Sequence, residues 1–117
     1  MRRTSEFLDL VRERLAPLGP VSARAMFGGW GIYVDGQFCA IVHGEALYLK
    51  VDAASRPQFE AQRSQPFRPF AGKPMTMLYY EAPADFFEDP KQALAWGGLA
   101  LQAARRQKRQ PARARKR

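Results

Sequence analysis

The sequence predicts an α+β fold, in which an antiparallel β-sheet of four to five strands is flanked by an N-terminal, a middle and a C-terminal helix. Three observations carry that expectation. The segment 26–51, MFGGWGIYVDGQFCAIVHGEALYLKV, holds three apolar runs of strand length separated by Asp35-Gly36 and by His43-Gly44-Glu45. Short Gly-containing turns of that kind join antiparallel neighbours. Stretches 4–17, 53–63 and 91–107 read instead as helices, and 117 residues with 46% apolar content suffice for one core without disulfide or metal support.

In chain order, residues 4–17 form an amphipathic helix with Phe7, Leu8, Val11, Leu15 and then Leu18 at steps of three and four. Thr4 or Ser5 caps its start, and Pro17 with Gly19-Pro20 ends it. Val21 to Phe27 extends as a further strand, which Gly28-Gly29 breaks or bulges. The spacing G-G-x-G through Gly31 has neither the lysine of a phosphate-binding loop nor a helix after it, so it reads as a bulge.

Asp35-Gly36 as a two-residue type I′ loop fixes a register: Val34 opposite Gln37, Tyr33 opposite Phe38, Ile32 opposite Cys39, Gly31 opposite Ala40 and Trp30 opposite Ile41. One face then carries Trp30, Ile32, Val34, Cys39 and Ile41, and the other Tyr33, Phe38, Ala40 and Val42. Both are apolar, so the second face is expected to lie under another part of the chain or another molecule. From Ala46 to Val51 the chain alternates, with Leu47, Leu49 and Val51 on one side and Tyr48 and Lys50 on the other.

Asp52 is placed to cap a short helix over 53–63 whose main apolar residue is Phe59. The loop 64–74 is rich in proline, and its Phe67 and Phe70 are expected to fold back as plugs at an edge of the core. Residues 75–81 make the last strand, Met75, Met77 and Tyr79 facing one way and Thr76, Leu78 and Tyr80 the other. Pro83 and Asp85 start a turn. Asp89 then caps a helix opened by Pro90, running to about Gln107, with Leu94, Trp96, Leu99 and Leu101 available for packing. Pro111 stops it.

The net charge of +8 is unevenly distributed. Arg105, Arg106, Lys108, Arg109, Arg113, Arg115, Lys116 and Arg117 place eight cations and no acid in the last thirteen residues, while the first 104 hold 11 basic and 11 acidic residues, net zero. The expected organisation is a folded domain over 1–104 and a basic, disordered tail over 105–117. Such a tail displaces counterions from DNA or RNA, giving sequence-independent, salt-sensitive attraction, and with no large apolar residue it does not insert into a membrane. A solvated, solubilising extension is the other reading. Charged residues from Glu6 to Glu13 exclude a signal peptide, and a lone cysteine suits a reducing cytoplasm.

The order of landmarks resembles the N-terminal domain of the TfoX/Sxy family, bacterial regulators of competence for DNA uptake. The residues that carry it are Met26-Phe27-Gly28-Gly29-x-Gly31-Ile32-Tyr33-x-Asp35-Gly36-x-Phe38, then Leu47 to Asp52, Phe59, Pro66-Phe67, Gly72, Met77-x-Tyr79-Tyr80-Glu81-x-Pro83 and a final helix with Leu94. They span roughly residues 5–105. The resemblance implies the same α+β arrangement and a regulatory role exercised by longer members, with a cyclic-AMP-responsive activator at promoters. Those members carry a second, helical C-terminal domain of helix-hairpin-helix type, whose place the basic tail is expected to take here. The resemblance carries over no catalytic residue.

Nothing in the residues asks for an enzyme. His43 sits in a polar turn with only Glu45 beside it, Cys39 lies mid-strand with no basic neighbour to activate it, and one His with one Cys cannot complete a zinc set. No catalytic, cofactor or metal site is expected. Tyr33, Phe38, Tyr48 and Tyr80 are the candidate interface face. A neutral domain gives a base-stacking platform no phosphate-neutralising groove, so a homodimer contact over that face fits better than nucleic acid. The expectation is a non-enzymatic, cytoplasmic regulatory or accessory protein, contacting an unidentified regulatory protein through the domain and nucleic acid through the tail. The alternative is a protein-interaction or dimerisation module with no nucleic-acid role, and an uncharacterised enzyme ranks third.

Overall fold

The computed structural model describes residues 2–26, 28–67 and 79–109, with side chains from Glu6 to Gln107 within those segments. Five strands, β1 (Val21–Met26), β2 (Gly29–Val34), β3 (Gln37–His43), β4 (Ala46–Lys50) and β5 (Tyr79–Glu81), form one antiparallel sheet in the order β1-β2-β3-β4-β5. Helices α1 (Arg2–Leu15), α2 (Arg56–Ala61), α3 (Asp85–Glu88) and α4 (Pro90–Arg109) accompany it, with a 3-10 turn at Ala16–Leu18. The predicted α+β class and its three helices are present. The short α3 stands where only a turn was expected, and α2 is shorter than the predicted 53–63.

The hairpin residues act as their chemistry requires. Asp35 and Gly36 both take positive φ, 52° and 78°, as a type I′ loop demands, and Val34 pairs with Gln37 and Tyr33 with Phe38. The predicted register then fails at one residue. A bulge after Tyr33 leaves Cys39 as the extra residue, so Ile32 pairs with Ala40, Gly31 with Ile41 and Trp30 with Val42. Every later side chain of β3 therefore changes face. Ala40 and Val42 enter the main core, and Ile41 joins the opposite cluster.

β1 ends at Met26 and Gly29 opens β2 opposite it, so Gly28-Gly29 breaks the strand rather than bulging it. A Cβ on Gly29 would lie 2.1 Å from the Val42 carbonyl oxygen, so only glycine permits this approach of β2 to β3.

All four helices contribute to the core on one face of the sheet. Val11 and Leu15 of α1, Phe59 of α2, Phe86 of α3 and Ala93, Trp96, Ala100, Leu101 and Ala104 of α4 pack against Ile32, Val34, Val42, Leu47, Leu49 and Val51. The packing face of α4 is built largely of small residues, which brings the helix close over β3 and β4. Leu94, expected to pack, is instead 37% exposed. Pro90 opens α4, and the Lys91 amide donates to Asp89 Oδ1 at 3.0 Å, as the predicted cap requires.

Asp52 caps a turn rather than the helix. Its carboxylate accepts from the Ser55 amide at 3.1 Å and its backbone carbonyl accepts from Arg56 N–H, so α2 starts only at Arg56. Phe67 is buried at the sheet edge as expected, with Pro66 bridged to Tyr80. Phe27, Phe70, Gly72 and Met75 to Leu78, named in the sequence reading, lie outside the described residues, as do the side chains of Thr4 and Ser5.

Candidate functional site on the aromatic face and at the end of the sheet

The face of the sheet turned away from the main core carries a second, aromatic cluster. Ile41, Phe67 and Tyr79 are buried in it, with Phe38 and Tyr48 partly buried against them. Tyr33 stacks on Phe38 with centroids 5.1 Å apart, Phe38 meets Tyr79 at 5.9 Å, and Tyr48 meets Phe67 at 4.6 Å. Among the described residues no helical side chain belongs to this cluster, and Phe67 is the residue from outside the strands that closes over it.

Three of the four predicted face residues are brought together here, and the fourth is not. Tyr80 turns the other way, into the helix-side core. It lies 6.2 Å from Phe59, and its hydroxyl donates to Glu60 Oε2 at 3.0 Å. The reason is register: β5 pairs Tyr80 with Leu49 and Tyr79 with Lys50, so Tyr80 shares the core-facing side of Leu49. Alternation along 75–81 separates Tyr79 from Tyr80 but does not say which of them meets the helices. Tyr79 occupies the place assigned to Tyr80.

Lys50 is the residue that sequence reasoning passed over. It ends β4 on the same side as Tyr48, is only 6% exposed, and holds its ammonium 5.0 Å from the centre of the Tyr79 ring. Burial pushes its pKa down, against weaker attraction from Cys39 and Asp52. A lysine in a strand that faces an aromatic surface was the available signal, since an amphipathic chain there must either reach water or stay covered.

The first two residues of the predicted tail are structural. α4 continues past residue 104 to Arg109, and both arginines pair back to the domain. Arg105 Nη2 donates to Asp35 Oδ2 at the hairpin tip at 3.0 Å. Arg106 grips Asp52 with two bonds, Nε to Oδ2 at 2.6 Å and Nη2 to Oδ1 at 3.0 Å. The Arg106 bond is the main cause holding the Asp52 carboxyl below its ordinary range. Lys108 and Arg109 belong to α4 by their backbone, while their side chains and Arg113, Arg115, Lys116 and Arg117 lie outside the described residues.

Two hollows open at this end of the sheet. One of about 500 Å³ is lined by Lys50, Asp52, Arg56 and Arg106 with a floor of small apolar residues, and one of about 370 Å³ by Tyr33, Phe38, Lys50 and Gln107. Lys50 and Gln107 belong to both.

Comparison with protein-family models gives a match to the TfoX N-terminal domain over residues 13–104. The chain belongs to the TfoX N-terminal domain family. The matched span runs from within α1 through the sheet to Ala104 on α4, and stops one residue short of Arg105. Comparison with curated proteins finds no match.

Among the described residues of this TfoX N-terminal domain, His43 and Cys39 are not gathered into a site. His43 is exposed at its turn, 5.8 Å from the Phe67 ring, and lines neither hollow. Cys39 is 1% exposed in the bulge, and burial pushes its thiol up to about 12, away from the thiolate that a nucleophile needs. Among the described residues no three His, Cys, Asp or Glu side chains converge as metal ligands, and no helix is long and apolar enough to cross a membrane.

Proposed function

We propose that this TfoX N-terminal domain is a non-enzymatic, cytoplasmic regulatory or accessory protein, making protein contacts through its folded body and attracting nucleic acid through the basic segment that follows Arg106. The carrying observation is the charge distribution: 11 basic and 11 acidic residues balance over 1–104, and the excess lies beyond. Asp35 and Asp52 already neutralise Arg105 and Arg106, which narrows the nucleic-acid role to Lys108, Arg109, Arg113, Arg115, Lys116 and Arg117. Kinship with competence regulators is the ground for reading that attraction as part of control of DNA uptake.

The test is retention of duplex DNA as a function of salt. Six engaged cations give a log–log slope of about −5, and a chain ending at Arg109, which keeps two of them, a slope of about −2. An unchanged slope in the shortened chain would move binding onto the domain and overturn the assignment.

A second reading is favoured by one feature, the partly buried Phe38 and Tyr48 on the aromatic face. Contact there with a second copy would make the domain a dimerisation module. Sedimentation of the wild type against Tyr48→Glu decides it: a concentration-dependent dimer lost in the variant supports the module, and a monomer in both removes it.

A further inference from the structure

Burying an ammonium without an anion is costly, and the penalty is relieved only when the group reaches water, loses its proton or meets a counter-charge. Lys50 is only 6% exposed as a residue, its ammonium keeps what solvent contact remains, and among the described residues that ammonium has the Tyr79 ring but neither a hydrogen bond nor an ion pair. The nearest acid in sequence, Asp52, is already committed to Arg106 and Ser55. A ring face returns only part of what a carboxylate or water shell would supply.

The surroundings favour an external anion. The hollow of about 500 Å³ that Lys50 lines has the size of a small-molecule pocket, and it brings Lys50, Arg56 and Arg106 around the single carboxylate of Asp52, an excess of two positive charges. Arg56 Nε is buried with no hydrogen-bond partner. Val51, Ala53, Ala54 and Ala103 give the rest of the wall an apolar character. A lysine without an anionic partner and an arginine with an unpaired Nε thus line one cavity, from β4 and from the start of α2. Their coincidence is what a purely structural account leaves over.

We propose that this cavity binds a small organic anion, a carboxylate or a phosphate monoester, whose oxygens pair with the Lys50 ammonium while its apolar part rests against Ala53 and Ala54. Nucleic acid is the poorer fit, because a phosphate inside a polymer backbone cannot enter deeply enough to meet a side chain 6% exposed. The site lies beside the Arg106 grip on Asp52, so an occupant also touches the residues that fasten the end of α4.

The full-length protein is titrated with inorganic phosphate, phenyl phosphate, benzoate and a short DNA duplex, following the Lys50 side-chain resonances by NMR and heat by calorimetry. The expected result is saturable binding of phenyl phosphate or benzoate with displacement of the Lys50 resonances; which of the two binds tighter separates the phosphate from the carboxylate source, and inorganic phosphate alone binds more weakly for want of the apolar contact. Lys50→Met keeps the length of the chain and removes the charge. It should melt no lower than wild type, because a buried charge is gone, and should bind the probe about ten- to a hundredfold more weakly. Failure of both organic anions to move the Lys50 resonances, affinity within twofold of wild type in Lys50→Met, or displacement of Lys50 by the duplex alone would overturn the proposal. Should Lys50→Met fail to fold, the wild-type titration still decides, since Lys50 is observed directly.

Discussion

The guanidinium of Arg106 donates to both oxygens of the Asp52 carboxylate, at 2.6 and 3.0 Å, and so fastens the last turns of α4 to the residue that follows β4. The pair is half-open to solvent, with side chains 38% and 27% exposed, so screening limits its value to about 1 kcal/mol despite the two-bond geometry. Asp52→Asn should lower stability by that order. The sign with pH follows from the direction of the shift: Asp52 is held below its ordinary 3.8, so its contribution is complete above that value and is lost as pH falls through the lower, folded one. Denaturant midpoints of wild type and Asp52→Asn should differ at neutral pH and converge as pH falls below 3.8 and through the lowered, folded value.

Truncations should separate structure from charge. A chain ending at Arg109 keeps both ion pairs and should melt with the full-length protein. One ending at Ala104 loses the Asp35 and Asp52 contacts and the final helical turn, and should be less stable by about 1–2 kcal/mol. Equal melting of the two truncated chains would mean that Arg105 and Arg106 do not fasten the helix.

Gly29→Ala and Gly36→Ala should both destabilise, for different reasons. At Gly29 the new methyl meets the Val42 carbonyl, a backbone atom that cannot step aside, and the cost should be about 3 kcal/mol. At Gly36 the space is open but φ is 78°, so the cost is the left-handed conformation alone, about 1 kcal/mol. Chemical denaturation of the two variants should rank them in that order.

Cys39 should be inert in the native state. Raising its pKa from 9.0 to about 12 lowers the thiolate fraction near neutral pH about a thousandfold, before its 1% exposure is considered. Its rate of labelling by iodoacetamide should rise steeply with denaturant, tracking unfolding. Fast labelling without denaturant would place the thiol at the surface and contradict the bulge.

The opposite charges at the two ends of the Arg105–Asp35 pair stand 70 positions apart, and that separation marks what the chain could and could not declare in advance. By itself the sequence determined the elements and their class. Asp35-Gly36 accepts positive φ, Pro90 after Asp89 starts a helix, and Leu47, Leu49 and Val51 alternate with Tyr48 and Lys50, because each of these choices depends on neighbours a few residues away. The run from Met26 to Phe38 was also enough to point to the family. Tertiary structure decided the rest. The bulge at Cys39 sends Ala40 and Val42 inward and Ile41 outward, a shift of register that the hairpin turn does not encode. Pairing with β4 chooses Tyr79 over Tyr80 for the aromatic face. Asp35 and Asp52 draw Arg105 and Arg106 out of an apparent tail into the fold. Lys50 shows the limit most plainly: its place on a strand face was legible, but burial beside Tyr79 and a cavity depends on where β5 and α4 arrive, and no local pattern in the chain encodes that distance.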